Sequence, residues 1–179
     1  MAEAPDTIAT LKAKLEVTAG VADRLAYSVK HVRSLGLAPL TLTGLAALGD
    51  GEMEVLDAFI YRYGSLVSNI QDSIFKSIGE AEQEPVNAMS NRDKANLMEK
   101  LGALPSATAF ATLAVIRNRL MHDYPEEAQK QIDRMNFIID EAPRLLAVFL
   151  GIAGFVRKFG VAFSPAEFVH LTDFSPIRK

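Results

Sequence analysis

Cysteine is absent from this sequence of 179 residues. Disulfides, thiolate zinc sites and a cysteine nucleophile are therefore excluded, and the reducing cytoplasm becomes the expected compartment. An excess of positive charge is absent as well: 19 Lys and Arg face 22 Asp and Glu. The formal net charge is −3 and the pI is near 5.6, whereas a protein that grips nucleic acid by bulk electrostatics leaves a strongly basic footprint. Any nucleic-acid contact has to be local, in a small cationic cleft or in one assembled when two chains meet. Long apolar runs are missing too: the longest, Leu145 to Val156, is interrupted only by glycines and flanked by Arg144 and Arg157. It falls short of the roughly 20 residues that a bilayer span needs, so a buried or interface helix is expected and no membrane partner. The stretch Met1 to Val17 has neither a basic n-region nor an apolar core, so no secretory signal is expected. There is no Gly-rich phosphate loop, no H-E-x-x-H, no G-x-S-x-G and no carboxylate run with calcium-loop spacing. The common nucleotide, zinc and hydrolase signatures are thereby removed, and neither a metal nor a cofactor is expected.

What is present is a chain that is 49% hydrophobic and 23% charged, in the size range of one domain that buries a core without staples. Ile8, Leu11, Leu15, Ala22, Leu25, Val29 and Val32 recur at steps of three and four, with Thr18 in the one gap, which predicts an amphipathic helix. Asp6 or Thr7 is its N-cap, and Gly36 and Pro39 close it near Leu35. A connector follows to Gly51, with a helical turn expected at Thr43 to Leu48. Leu56, Phe59, Ile60, Tyr63, Val67, Ile70, Ile74 and Ile78 share one arc of a second long helix over about Glu52 to Glu80, whose other face carries Arg62, Ser65, Asn69, Asp72 and Lys76. Ser90 and Asp93 form a variant capping box opening a short helix to Leu101, ended by Gly102. Ser106 caps a fourth helix toward Met121. Pro125, Glu126 and Glu127 open a fifth, kinked or restarted at Pro143. No alternating run long enough for a strand occurs, and no internal repeat. The expected fold is all-α: an antiparallel four-to-five-helix bundle over 1–160 with a short extra helix, followed by an extended C-terminal tail over 161–179 that lies across the surface.

Chemistry is left to histidine and arginine. Of three histidines, His31 falls in the last turn of the first helix and His170 in the tail, where a cation near a helix end and a solvated imidazole account for them. His122 lies in RNRLMHDYP, Arg117 to Pro125. At about 100° per residue, Arg117 sits about 40° from Leu113, inside the arc that also holds Leu120 and Met121, so its guanidinium emerges from the apolar side. Such a charge is costly unless it is paired, hydrogen-bonded or faced to an anion-binding cleft. The same wheel sets His122 about 140° from Arg117, so a straight helix does not aim both at one phosphate. Pro125 offers one remedy, because it disfavours the α region for Tyr124 and unwinds the helix after His122. Dimerisation across this face, with the arginine of one chain meeting the histidine of the other, is the second. Both remain open.

Metal-free RNA cleavage needs a base for the 2′-hydroxyl proton, an acid for the leaving 5′-oxygen and a cation for charge on the phosphorane. Histidine suits the first two, since its unperturbed pKa of about 6.5 lets it exchange protons near neutrality. Arginine suits the third, being permanently charged with a fork matched to phosphate oxygens. The ordinary structural explanation is different. Arg117 then pairs with an acid on a neighbouring helix, His122 interacts with the helix dipole, and Tyr124 anchors the turn by packing.

Arg117, His122 and Tyr124 together match R-x-x-x-x-H-x-Y, and the segment resembles the motif of the HEPN superfamily in its HepT-like branch. Asn118 fits as the polar residue after the arginine, and Asp57 to Phe75 is similar to the family's preceding long helix. The similarity spans about 50–159. It implies a homodimer whose two motifs face each other in one RNA-cleaving cleft, with His122 as acid or base and Arg117 as phosphate ligand. Asp72 and Arg62 would support them from the polar stripe. The resemblance also implies a partner, a nucleotidyltransferase antitoxin of the MNT type, that silences the toxin by adding AMP to Tyr124. A reading from another class, a non-catalytic helical partner that binds a nucleotidyltransferase and serves as its substrate, uses the same tyrosine and has no need of His122.

Overall fold

The computed structural model describes residues 6–121 and 128–174, and among these every regular element is helical. Helix α1, Thr7–Ser34, starts where Asp6 accepts a hydrogen bond from the Ile8 N–H at 3.0 Å, satisfying one of the orphan donors of a helix start. Its buried face is the expected one, Leu11, Leu15, Ala22, Leu25, Val29 and Val32. Thr18 is buried among them, and its hydroxyl donates to the Lys14 carbonyl at 2.8 Å, so the polar gap in the stripe leaves no unsatisfied group. The helix stops in a Schellman motif. Gly36 takes φ +66°, the Leu37 N–H reaches back to the Val32 carbonyl at 3.1 Å and the Gly36 N–H to that of Arg33 at 3.0 Å, the 6→1 and 5→2 pattern that favours glycine.

After the short α2, Leu42–Ala46, comes one continuous rod built of α3 (Asp50–Ser68), a π-helical segment (Asn69–Ile74) and α4 (Phe75–Ala81). The rod covers the span that periodicity predicts for the second helix, but the π turn was not foreseen. Its wider i→i+5 turn keeps Ile70, Ile74 and Phe75 all buried, and Phe75 meets Phe110 at 5.2 Å between ring centroids. Helix α5, Asn91–Leu101, begins at Ser90, whose Oγ accepts from the Asp93 N–H at 3.2 Å, and ends at the left-handed Gly102. Helix α6, Ala107–Met121, folds back on it. The hairpin is tied at its tip by Glu99, which accepts from the Ala107 N–H at 2.6 Å, and Ser106 accepts from the Ala109 N–H at 3.2 Å. Helix α7, Ala128–Phe155, contains Pro143 in its interior, so of the kink or restart expected there the restart does not occur. The opening expected at Pro125 lies outside the described residues.

With the rod counted as one, the described residues form six helices around a single core in which α1 packs on α3, α4 and α7, and α6 packs on α3, α5 and α7. Asn136 of α7 clasps the connector after α1: its amide accepts from the Leu40 N–H at 2.7 Å and donates to the Leu40 carbonyl at 2.9 Å. The tail departs from expectation. Over 161–174 it is docked, with Val161 and Leu171 buried and 3-10 turns at Pro165–Glu167 and Leu171–Phe174. Asp23 of α1 accepts from the His170 and Leu171 N–H groups at 2.7 and 2.9 Å, and Lys30 pairs with Asp173. Burial of Leu171 and these caps, which no local pattern encodes, hold the segment down.

Gly79 fixes the passage from α4 to the next loop. A Cβ added there would lie 2.1 Å from Val86 Cγ1, and Val86 is itself buried. Gly79→Ala gains up to about 1 kcal/mol of helix propensity against an overpacking cost of about 1–3 kcal/mol. Net destabilisation is expected, read as a thermal midpoint lowered by a few degrees. A midpoint at or above wild type would show that Val86 moves aside freely.

Candidate functional site

Helix α6 delivers Arg117 to its place through its packing on the rod. One turn earlier, the buried Tyr63 of α3 donates its hydroxyl to the Leu113 carbonyl at 3.3 Å, pinning the two helices together. Burial, and then the negative charge of Glu141, pushes the Tyr63 hydroxyl pKa well up, so it stays a neutral donor. Leu113 and Ala114 are buried and Arg117 is half-buried, as the helical wheel implies for a guanidinium on the apolar side. Its Nη2 donates to the hydroxyl of Ser68, the last residue of α3. A hydroxyl on the rod thus holds one end of the guanidinium.

Arg117 opens onto a cavity of about 430 Å³ between α5, α6 and the π segment. Phe110, Ala111 and Ala114 of α6 form its apolar side, and Gln71, Asp72, Asn91, Arg92 and Asn96 its polar rim. Asp72 accepts from the Asn91 amide of α5 at 3.3 Å. It shares the cavity with Arg117.

The other residues of the polar stripe do not face this cavity. Arg62 donates to Ser28 of α1, lies 5.7 Å from the centroid of the Tyr27 ring, and lines separate cavities with Ser65 and Asn69 on one side and Tyr27 and His31 on the other. Asn69 donates to the Ser65 carbonyl at 2.9 Å, and Lys76 pairs with Glu80 at 3.8 Å. Of the two stripe residues expected to support the motif, Asp72 lines the cavity with Arg117 and Arg62 does not: at about 100° per residue, and with a π turn at Asp72, the stripe wraps round the rod and parts between two flanks. His31 stacks on Tyr27 at 5.4 Å and His170 meets the same ring edge-on at 5.1 Å, so both imidazoles belong to the contact of α1 with the tail.

No family model, curated protein or solved structure matches this chain. Among the described residues no group of three or more His, Asp and Glu is placed to hold a metal ion, and no helix is long and apolar enough to cross a membrane. His122 and Tyr124 lie outside the described residues, and for Asn118 only its place on the α6 backbone is described. The arrangement that is described, a guanidinium held by a hydroxyl at the mouth of a cavity with a second arginine, Arg92, on its rim, can bind an anion and neutralise charge developing on it. Of the residues at this cavity, Arg117 and Asp72 were candidates from sequence, whereas Ser68, Asn91 and Arg92 were not. Only the last carried a signal, as a cation in the first turn of a capped helix where acidic residues are preferred.

Proposed function

We propose that the protein is a metal-independent endoribonuclease of the HEPN superfamily, HepT-like, acting as a homodimer. The observation that carries the reading is Arg117: a half-buried cation, oriented by Ser68 and opening onto a polar-rimmed cavity, on the helix that runs on toward His122 and Tyr124. In this reading a base removes the 2′-hydroxyl proton, O2′ attacks phosphorus, and the bond to the 5′-oxygen breaks as an acid protonates it. His122 supplies the acid or the base, and the second copy of the motif in the dimer supplies the other imidazole. Arg117 holds the non-bridging oxygens as charge grows on the phosphorane, where a preorganised donor acts most strongly. Val115, two residues before Arg117 and 47% exposed on the lining of the same cavity, is apolar surface that a second copy would cover. A nucleotidyltransferase antitoxin of the MNT type would silence the site by adding AMP to Tyr124, placing a phosphate and a bulky base beside the pair.

The test is cleavage of single-stranded RNA by the purified chain in the presence of a chelator. Fragments ending in 2′,3′-cyclic phosphate and 5′-hydroxyl are expected from wild type and not from His122→Ala; equal degradation by both ends the enzymatic reading. The net charge of −3 favours the second reading, a non-catalytic partner and substrate of the nucleotidyltransferase, in which neither protein cleaves RNA and AMP is still added.

A further inference from the structure

We propose that the cavity beside Arg117 is a base-selecting subsite that takes a guanine nucleotide of single-stranded RNA, with Asp72 as the specificity-determining residue. The inference rests on the nuclease reading for the identity of the polymer. The chemistry of the pocket carries the rest.

Its size comes first: about 430 Å³ lies at the small end of the roughly 300–1,000 Å³ that small-ligand pockets span. The room exists because alanines, Ala95, Ala111 and Ala114, line it where larger apolar residues would close it, with Phe110 beside them. One flat, unstacked nucleoside fits such a slot, as sequence-specific recognition of single-stranded RNA requires, whereas a duplex does not. Charge comes second. Among the described residues of the lining, two arginines, Arg92 and Arg117, stand with one aspartate, Asp72, so that both signs of charge face the cavity. A ligand that is anionic at one end and carries hydrogen-bond donors at the other satisfies both signs.

The carboxylate decides between bases. Asp72 lies in the π turn on the cavity rim, and the Asn91 amide donates to it from α5. An ionised carboxylate only accepts hydrogen bonds. Guanine offers two donors side by side on its Watson–Crick edge, N1–H and the N2 amino group. Adenine and cytosine offer one amino group next to a ring nitrogen that repels the second oxygen, and uracil offers one N–H between two carbonyls. A carboxylate in this position therefore prefers guanine, the others following in that order, with the phosphate directed to the arginines.

Binding of guanosine, adenosine, cytidine and uridine 3′-monophosphates to the full chain, measured by titration calorimetry, tests this without cleavage. Guanosine 3′-monophosphate is expected to bind wild type at least about tenfold more tightly than uridine 3′-monophosphate, the size of discrimination one good paired hydrogen-bond contact gives. Asp72→Asn, at an exposed position, should reduce that ratio to within about threefold by turning one acceptor into a donor. Ala111→Leu, filling the slot, should weaken all four together. Equal affinities for the four, no binding of any, or an unchanged ratio in Asp72→Asn would overturn the subsite. RNA cleavage assayed beside it separates the two proposals. Guanine-selective binding without cleavage removes the nuclease reading and leaves the pocket, whereas cleavage without selective binding does the reverse.

Discussion

Arg117→Ala is expected to lower RNA cleavage by about 10²–10³-fold in kcat, the range found when one preorganised donor to a developing oxyanion is removed. Arg117→Lys should recover only part of that loss, because an ammonium is a point charge that cannot present the planar fork that fits two phosphate oxygens. Arg117 donates to Ser68, and lysine has the reach to keep a hydrogen bond there. The two variants therefore separate loss of the helix contact from loss of the fork. Thermal midpoints measured alongside keep the comparison sound, since both variants should retain the pinning of α6 by Tyr63 and the carbonyl of Leu113. Full activity in Arg117→Ala would mean that the guanidinium is structural.

The second large effect is all-or-none. With a nucleotidyltransferase of the MNT type and ATP, wild type is expected to gain mass in multiples of AMP and to lose RNA cleavage in proportion, while Tyr124→Phe gains none and stays active. Intact-protein mass spectrometry reads the first and the chelated RNA assay the second. In the proposed reading, the added phosphate would compete with the substrate phosphate for the guanidinium's donors, and the adenosine would fill space the RNA needs. Equal labelling of the two proteins would reject Tyr124 as the acceptor.

Local chemistry was legible in the sequence and distant chemistry was not. The Asp6 cap, the Schellman turn at Gly36 and the Ser90 cap all form within six residues of each other in sequence, and so their residue types announce them. The apolar face of Arg117 was equally readable, because Leu113 and Arg117 are one turn apart. The π turn left no such mark. Phe75, directly after it, meets Phe110 from the distant α6, and a wheel drawn at about 100° per residue assumes such a turn away. That is also why the polar stripe looked continuous although Arg62 and Asp72 line different cavities. The tail was misread for a related reason: its anchor, Asp23, stands on α1, far away in the chain. Ser68 was out of reach altogether, since one hydroxyl on a helix resembles every other until its partner is known.

The claim on which the proposed function stands is that Arg117 and His122 act on one phosphodiester. A double-mutant cycle on the kcat/KM of RNA cleavage, with chelator present, measures this directly. Groups that serve a single transition state are strongly non-additive, so Arg117→Ala with His122→Ala together should be little slower than the worse of the two alone. Effects that multiply, each variant contributing its full loss independently of the other, would contradict it.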